Sequence, residues 1–178
     1  MTETTNATAM LEVLQKRRSI RKFTDRSLTE CEIEQLSLAV LFAPTSRDLQ
    51  PCEFYFVSDK AKIRELTKVK GGGTTPLATA PLAVVIAADP EKCDVWIEDA
   101  AIASYTLLLE AEAMDLGATW VQIRKRGVDN TDAEDNVKKL LNLPENLRVL
   151  SIVAIGEKNE EKAPRAVETL YREKVHRL

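Results

Sequence analysis

Apolar residues recur at helical spacing in Met10, Leu11, Val13 and Leu14, which predicts a first helix from Thr8 to about Arg18. A second stripe, Ile33, Leu36, Val40 and Leu41, follows Thr29 and Glu32, a capping-box pair flanked by the staple positions Leu28 and Ile33. Pro44 closes that helix. The run EFYFVS reads as a strand, and Asp59 caps a short helix reaching about Val69. GGGTTPLATAP is then either a substrate-facing lid or a plain connector.

LAVVIAAD is continuously apolar, the pattern of a strand covered on both faces. Residues 95–116 are apolar almost all round, a helix that needs cover on every side, with Gly117 as the expected terminator. ATWVQIR is a third strand. Thr131 and Glu134 read as a capping box for a helix ending near Leu143, and VLSIVAIGE is a fourth, β-branched strand. The charged tail ends in a short helix. Nothing repeats and no linker divides the chain, so one α+β domain over residues 1–178 is expected.

Charge narrows the chemistry. The chain of 178 residues carries a net charge of −3, which argues against a general nucleic-acid surface. The polar opening MTETTNATAM has no secretory pattern, and the uncharged stretch Ala100–Leu109 is about half of what a bilayer needs. Cys31, Cys52 and Cys93 are scattered, and the single histidine, His176, leaves zinc sites and histidine-based nucleophile systems poorly supplied. A cytoplasmic protein with reduced cysteines, and with neither a nucleic-acid nor a membrane partner, is the expectation.

Against that acidic balance stands KRRSIRKF, with Lys16, Arg17, Arg18, Arg21 and Lys22 around Ser19. Two readings stay open: a solvated helix terminus favoured by the dipole, or a seat for a phosphate monoester, which guanidinium forks and a hydroxyl suit. APTSRDLQPCEF sets Thr45, Ser46, Asp48 and Gln50 between two prolines, more hydrogen-bonding groups than a turn requires. APR, at 163–165, says nothing by itself.

Taken in order, RRSIRKF, APTSRDLQP, TAPLAVVIAAD, EDAAIASYTLLLEAEAMDLGATWVQIR and VLSIVAIGE…APR resemble the nitroreductase family of FMN-dependent flavoproteins over about residues 10–170. The resemblance implies a three-layer fold, a central mixed β-sheet flanked by helices, in a homodimer with FMN at the subunit interface. It implies that Arg17 and Ser19 take the FMN phosphate with Arg18 beside them, that Arg21 lies by the flavin N1–C2=O edge, and that Arg165, with Lys162 nearby, adds a late phosphate contact. Pro44, Thr45, Ser46, Asp48, Gln50 and Pro51 would approach the flavin from the other subunit. Val121, Gln122 and Ile123 would lie near the reactive N5. The tail, about 157–178, would reach the partner subunit.

The implied activity is transfer of hydride or electrons from NADH or NADPH, through FMN, to a small acceptor such as a quinone or nitroaromatic, in ping-pong fashion. No side chain need act as nucleophile or acid–base pair, because the flavin carries the chemistry. The sequence departs from the family at three places: Asp48 for the usual Asn, Cys52 for a common Trp, and Gln122 for Gly. These departures keep open a flavin carrier or sensor with little turnover, which steady NADH or NADPH oxidation with an acceptor would distinguish.

Overall fold

The computed structural model describes residues 8–178. The opening segment, apart from Thr8 onward, lies outside the described residues. Helix α1 (Ala9–Lys16) starts at Thr8, whose hydroxyl accepts from the Leu11 amide, and α2 (Glu30–Leu41) starts at the expected capping box, with Thr29 and Glu32 each bonding the other's backbone N–H. Strand β1 (Cys52–Val57) leads to α3 (Lys60–Leu66), capped by Asp59. Strand β2 (Leu82–Ala88), helix α4 (Trp96–Ala113) and strand β3 (Leu116–Gln122) follow. A small hairpin, β4 (Gly127–Val128) and β5 (Thr131–Asp132), precedes α5 (Ala133–Leu141) and the long β6 (Arg148–Glu157). Beyond it the tail forms two exposed 3-10 turns.

The main sheet runs β1-β2-β6-β3, with every pairing antiparallel. The expected mixed sheet is therefore corrected: its parallel component is a single isolated bridge between Ser19 and Ala118. Strands β2 and β3 run in the same direction, joined by α4, but β6 lies between them, so every hydrogen-bonded pair is antiparallel.

Burial of both sheet faces explains the continuous apolar strands. On β2, Ala83, Val85 and Ala87 pack toward α3 and α5, while Leu82, Val84 and Ile86 pack toward α2 and α4. On β6 the alternation slips once, because Ile86 faces Ser151 and Ala87 faces Val149. The extra residue there, Leu150, joins the α4 side, and a bulge keeps both halves of the strand apolar on the correct faces. The result is three layers.

Two caps differ from expectation. Helix α4 ends at Met114 and the chain reverses at Asp115 (φ 58°), not Gly117, which already lies in β3. Asp115 tolerates the left-handed conformation because its short polar side chain competes well there. Gly117 serves packing instead: a Cβ would stand 2.7 Å from Ile20 Cγ2. Helix α5 is capped by Asp132, whose carboxylate accepts from the Glu134 amide, and not by Thr131. Glu134 is drawn away from the helix start to a buried position where it receives two hydrogen bonds from Arg148 (2.8 and 3.0 Å) and one from the Val149 amide.

Candidate anion site and polar loop

The basic segment crosses the end of α1 and lies on the edge strand β3, where the Ile20 amide donates to the Ala118 carbonyl at 3.1 Å. Ile20 is 3% exposed and fixes the segment to the core. Its other side is laid against the chain's late segment in antiparallel order. The Arg165 amide donates to Gln15 O, Arg18 Nη1 to Ala163 O, and Lys162 Nζ to Ser19 O at 2.6 Å. Glu160 accepts from the Arg21 amide, the Asn159 amide donates to Lys22 O, and the Thr24 amide to Glu157 O. A register of this length brings the early and late cations together.

Within that strip the cations have different tasks. Arg18 and Lys162 are spent on carbonyls of the opposite segment, and Lys162 also pairs with Glu160 at 3.2 Å. The Glu160 carboxyl is held below its usual range, mainly by the Arg21 amide it accepts from, despite some desolvation. Arg21 bends back toward Ser19 O at 3.4 Å. Among the described residues Arg17 and Arg165 make no ion pair, whereas Arg26, Arg47 and Arg148 each hold a carboxylate. A groove of about 960 Å³ beside the strip carries both signs, Lys16, Arg18 and Lys158 against Glu112, Asp115 and Glu160, and is a poor seat for an anion. Arg17 and Arg165 suit one better, so the residues fit a phosphate group.

The second candidate element is the loop after α2. Three non-glycine residues there have positive φ: Arg47 (53°), Asp48 (55°) and Gln50 (45°). Each costs on the order of 1 kcal/mol and persists only where surroundings hold it. Thr45 Oγ1 accepts from the Gln50 amide at 3.1 Å, and Gln50 Nε2 donates to Asp48 Oδ1 at 3.0 Å. The anchor is Asp99, 3% exposed on α4, which accepts from the Ser46 amide at 2.9 Å and from Cys93 Sγ. The sequence signal for it is weak, since Asp99 follows Glu98 in the first turn of α4 and only burial separates the two. Pro51 is buried while Pro44 is exposed. Behind the loop a cavity of about 110 Å³ opens between Thr45, Gln50, Cys52 and Phe54. Burial, then the charge of Asp99, pushes the Cys52 thiol up to about 12, so it stays protonated and acts as wall.

One chain does not unite the two elements. The loop is tied to Asp99, near the start of α4, while the basic strip touches Glu112, near its end, through Lys158. Thirteen residues of helix separate them, about 20 Å at 1.5 Å per residue. Val121 (1%) on β3 and Ile123 (0%) just past its end are committed to the core, which leaves backbone as what they can offer a ligand. Gln122 is half-buried and self-contained, accepting from Trp120 Nε1 and donating to Arg124 O, both at 2.9 Å.

Among the described residues no helix is long and apolar enough to cross a membrane, and no cluster of potential metal ligands occurs.

Comparison with known proteins matches this chain to the family model described as Nitroreductase family, over residues 14–76 and 70–157. A relative from Archaeoglobus fulgidus named "Putative NADH dehydrogenase/NAD(P)H nitroreductase" is 30% identical over 156 residues, covering 85% of this chain and 87% of its own. The NADPH-flavin oxidoreductase of Vibrio harveyi is 30% identical over 171 residues, 87% of this chain and 69% of that one. Among solved structures, an FMN-dependent nitroreductase from Clostridium difficile superposes with a TM-score of 0.90 at 41% identity, covering 92% and 96% of the two chains.

Proposed function

This chain belongs to the nitroreductase family, and from that premise we propose that it is an FMN-dependent oxidoreductase moving electrons from NADH or NADPH to a small acceptor. The observation that carries the reading is the antiparallel strip joining residues 15–24 to 157–165, in which neither Arg17 nor Arg165 forms an ion pair among the described residues. The names of the relatives above are consistent with it. When bound, FMN supplies the redox chemistry, accepting hydride from the reductant and passing electrons to the acceptor.

The residues of the chain bind and tune. Arg17 and Arg165 hold the phosphate by charge-assisted hydrogen bonds, with the Ser19 hydroxyl as a neutral donor. Arg18 and Lys162 lock the two segments so that those guanidiniums keep their places. Arg21 sets a positive charge by the N1–C2=O edge, where charge accumulates on reduction, and so favours the reduced form. Beyond Ala118 the free edge of β3 presents backbone groups, with Gln122 beside them.

Because the loop at 44–51 lies about 20 Å from the strip within one chain, the reading is a homodimer in which each loop serves its partner's site. Apolar side chains left exposed support it: Leu11 and Leu14 on α1, Leu41 (71%) and Phe42 (82%) at the end of α2, Ile102 and Tyr105 on α4. Exposed Leu170 and Tyr171 in the tail support an arm over the partner. Each chain is then a single flavin-binding unit. Static light scattering at micromolar concentration should return twice the 19.9 kDa chain mass; a monomer would count against the shared site.

A cleft that takes reductant and acceptor in turn predicts parallel double-reciprocal plots for NAD(P)H oxidation with a quinone or nitroaromatic. Flavin-loaded protein that oxidises neither nicotinamide with either acceptor would favour a carrier and overturn the enzymatic reading.

A further inference from the structure

Among the described residues Lys70 is the one buried cation, and no carboxylate pairs with it. Arg148 is held by Glu134, Lys158 by Glu112 and Lys162 by Glu160. Lys70 is only 9% exposed, yet its ammonium makes no hydrogen bond or ion pair among the described residues. Its stem is buried and its tip lies against the glycine turn, where a Cβ on Gly73 would stand 3.4 Å from Nζ. Burial first, and then the positive charge of Arg126, lowers the Lys70 pKa.

This pairing of like charges is built by the backbone. The Gly71 amide donates to Gly127 O at 3.1 Å, tying the glycine turn to the turn that leaves β3. Gly127 is obligatory there, since a Cβ would meet Thr131 O at 2.3 Å. Arg126 is itself tied through its carbonyl, which accepts from the Ala133 amide at 2.9 Å. Gly72 leaves open space: a Cβ there would meet nothing within 4 Å. A partly desolvated ammonium beside the glycine turn, and an arginine on the turn tied to it whose Nη1 donates to Lys125 O at 2.9 Å, offer cationic donors to a phosphate-class oxyanion. This place is not the strip described above. Along β3 it is four residues and a turn beyond Ala118, about 13 Å of strand from Ser19 before the turn begins.

We propose that Lys70 and Arg126, set against the glycine turn 71–73, form a second oxyanion site that receives a phosphate group of the nicotinamide dinucleotide reductant. The identity of the visitor rests on the function proposed above; the existence of the site does not. A dinucleotide reductant carries phosphates of its own, which would need cations other than Arg17 and Arg165, assigned above to FMN.

The test uses inorganic pyrophosphate as the probe, titrated calorimetrically at low salt into flavin-loaded wild type and into the Lys70→Met and Arg126→Ala variants. Arg126 is exposed, so its variant keeps the test alive if Lys70→Met folds poorly. Pyrophosphate should bind wild type, and each variant should weaken it about tenfold or more, the loss of one charge-assisted hydrogen bond. The KM for NADH or NADPH should rise by a similar factor with flavin content and turnover number unchanged. Absence of pyrophosphate binding, or equal binding in wild type and Arg126→Ala, overturns the site. Weakened pyrophosphate binding with unchanged KM values for both nicotinamides overturns the nucleotide assignment and leaves free phosphate as the ligand. If wild type holds no flavin, the function reading fails by itself, and the same titration on the apoprotein still decides the site.

Discussion

Lys162 donates to the carbonyl of Ser19 at 2.6 Å, across 143 residues of sequence. This contact joins the two ends of the chain into one strip, and the guanidiniums of Arg17 and Arg165 are left over once the strip is formed. Residues 15–24 and 157–165 thus supply the cations proposed to hold the phosphate, while the loop at 44–51 is anchored at the other end of α4.

Arg17→Ala and Arg165→Ala should each weaken FMN binding about tenfold or more, the cost of one charge-assisted contact. The fold should survive, because Arg165 is pinned by its backbone to Gln15. Flavin content per chain and an FMN titration of the apoprotein check this. Unchanged affinity in both variants would remove the phosphate role.

Gly117→Ala should cost about 1–3 kcal/mol, since the new methyl meets Ile20 Cγ2 at 2.7 Å and Ile20 Cβ at 2.9 Å, neither able to swing away. Because Ile20 anchors the basic strip, the same variant should also lose flavin. A thermal melt with absorbance read at the flavin band follows both; a wild-type Tm would show that the contact relaxes freely.

The two capping boxes explain how far local sequence reaches. Thr29 and Glu32 behaved as their spacing predicts, because Arg26 binds the Glu32 carboxylate without disturbing the helix start. Thr131 and Glu134 have the same spacing and failed, because Arg148 and the Val149 amide claim Glu134 from another strand. A local pattern holds only where no distant partner outbids it. The apolar strands were readable, since burial on both faces leaves its mark on every residue of β2, and the three layers followed from the family resemblance. The antiparallel order was not, because pairing direction has no residue signature. The cations of the site were readable as a cluster and through family resemblance. Asp99 and Glu160 were not, since each acts through a backbone amide of a remote segment.

Glu32 also carries a pH signature. Its carboxyl is held at about 2, below its ordinary 4.5, chiefly by the Arg26 side chain and then by the Thr29 amide. A depressed folded pKa contributes stability that is complete above 4.5 and is lost as pH falls through about 2. Glu32→Gln should therefore be destabilising at pH 7 and should flatten the loss of stability between pH 4.5 and pH 2. Urea unfolding across that window, compared with wild type, checks the sign; parallel curves would contradict it.

Ser104 and Ser151, both fully buried, share a hydrogen bond of 2.9 Å between α4 and β6. Ser104 also bonds Ala100 O at 2.7 Å, so it has an alternative partner that Ser151 lacks. Ser104→Ala should cost about 1–3 kcal/mol by stranding the Ser151 hydroxyl, and the double variant with Ser151→Ala should cost less than the sum of the two. Additive losses in a double-mutant cycle would show that the pair is not coupled.

The most direct measurement is the visible spectrum of the purified protein before and after incubation with excess FMN and gel filtration. The account predicts a yellow protein with one flavin per chain, released by acid as FMN, and a twofold lower content or less in Arg17→Ala. A preparation that is colourless and stays so after incubation would contradict it.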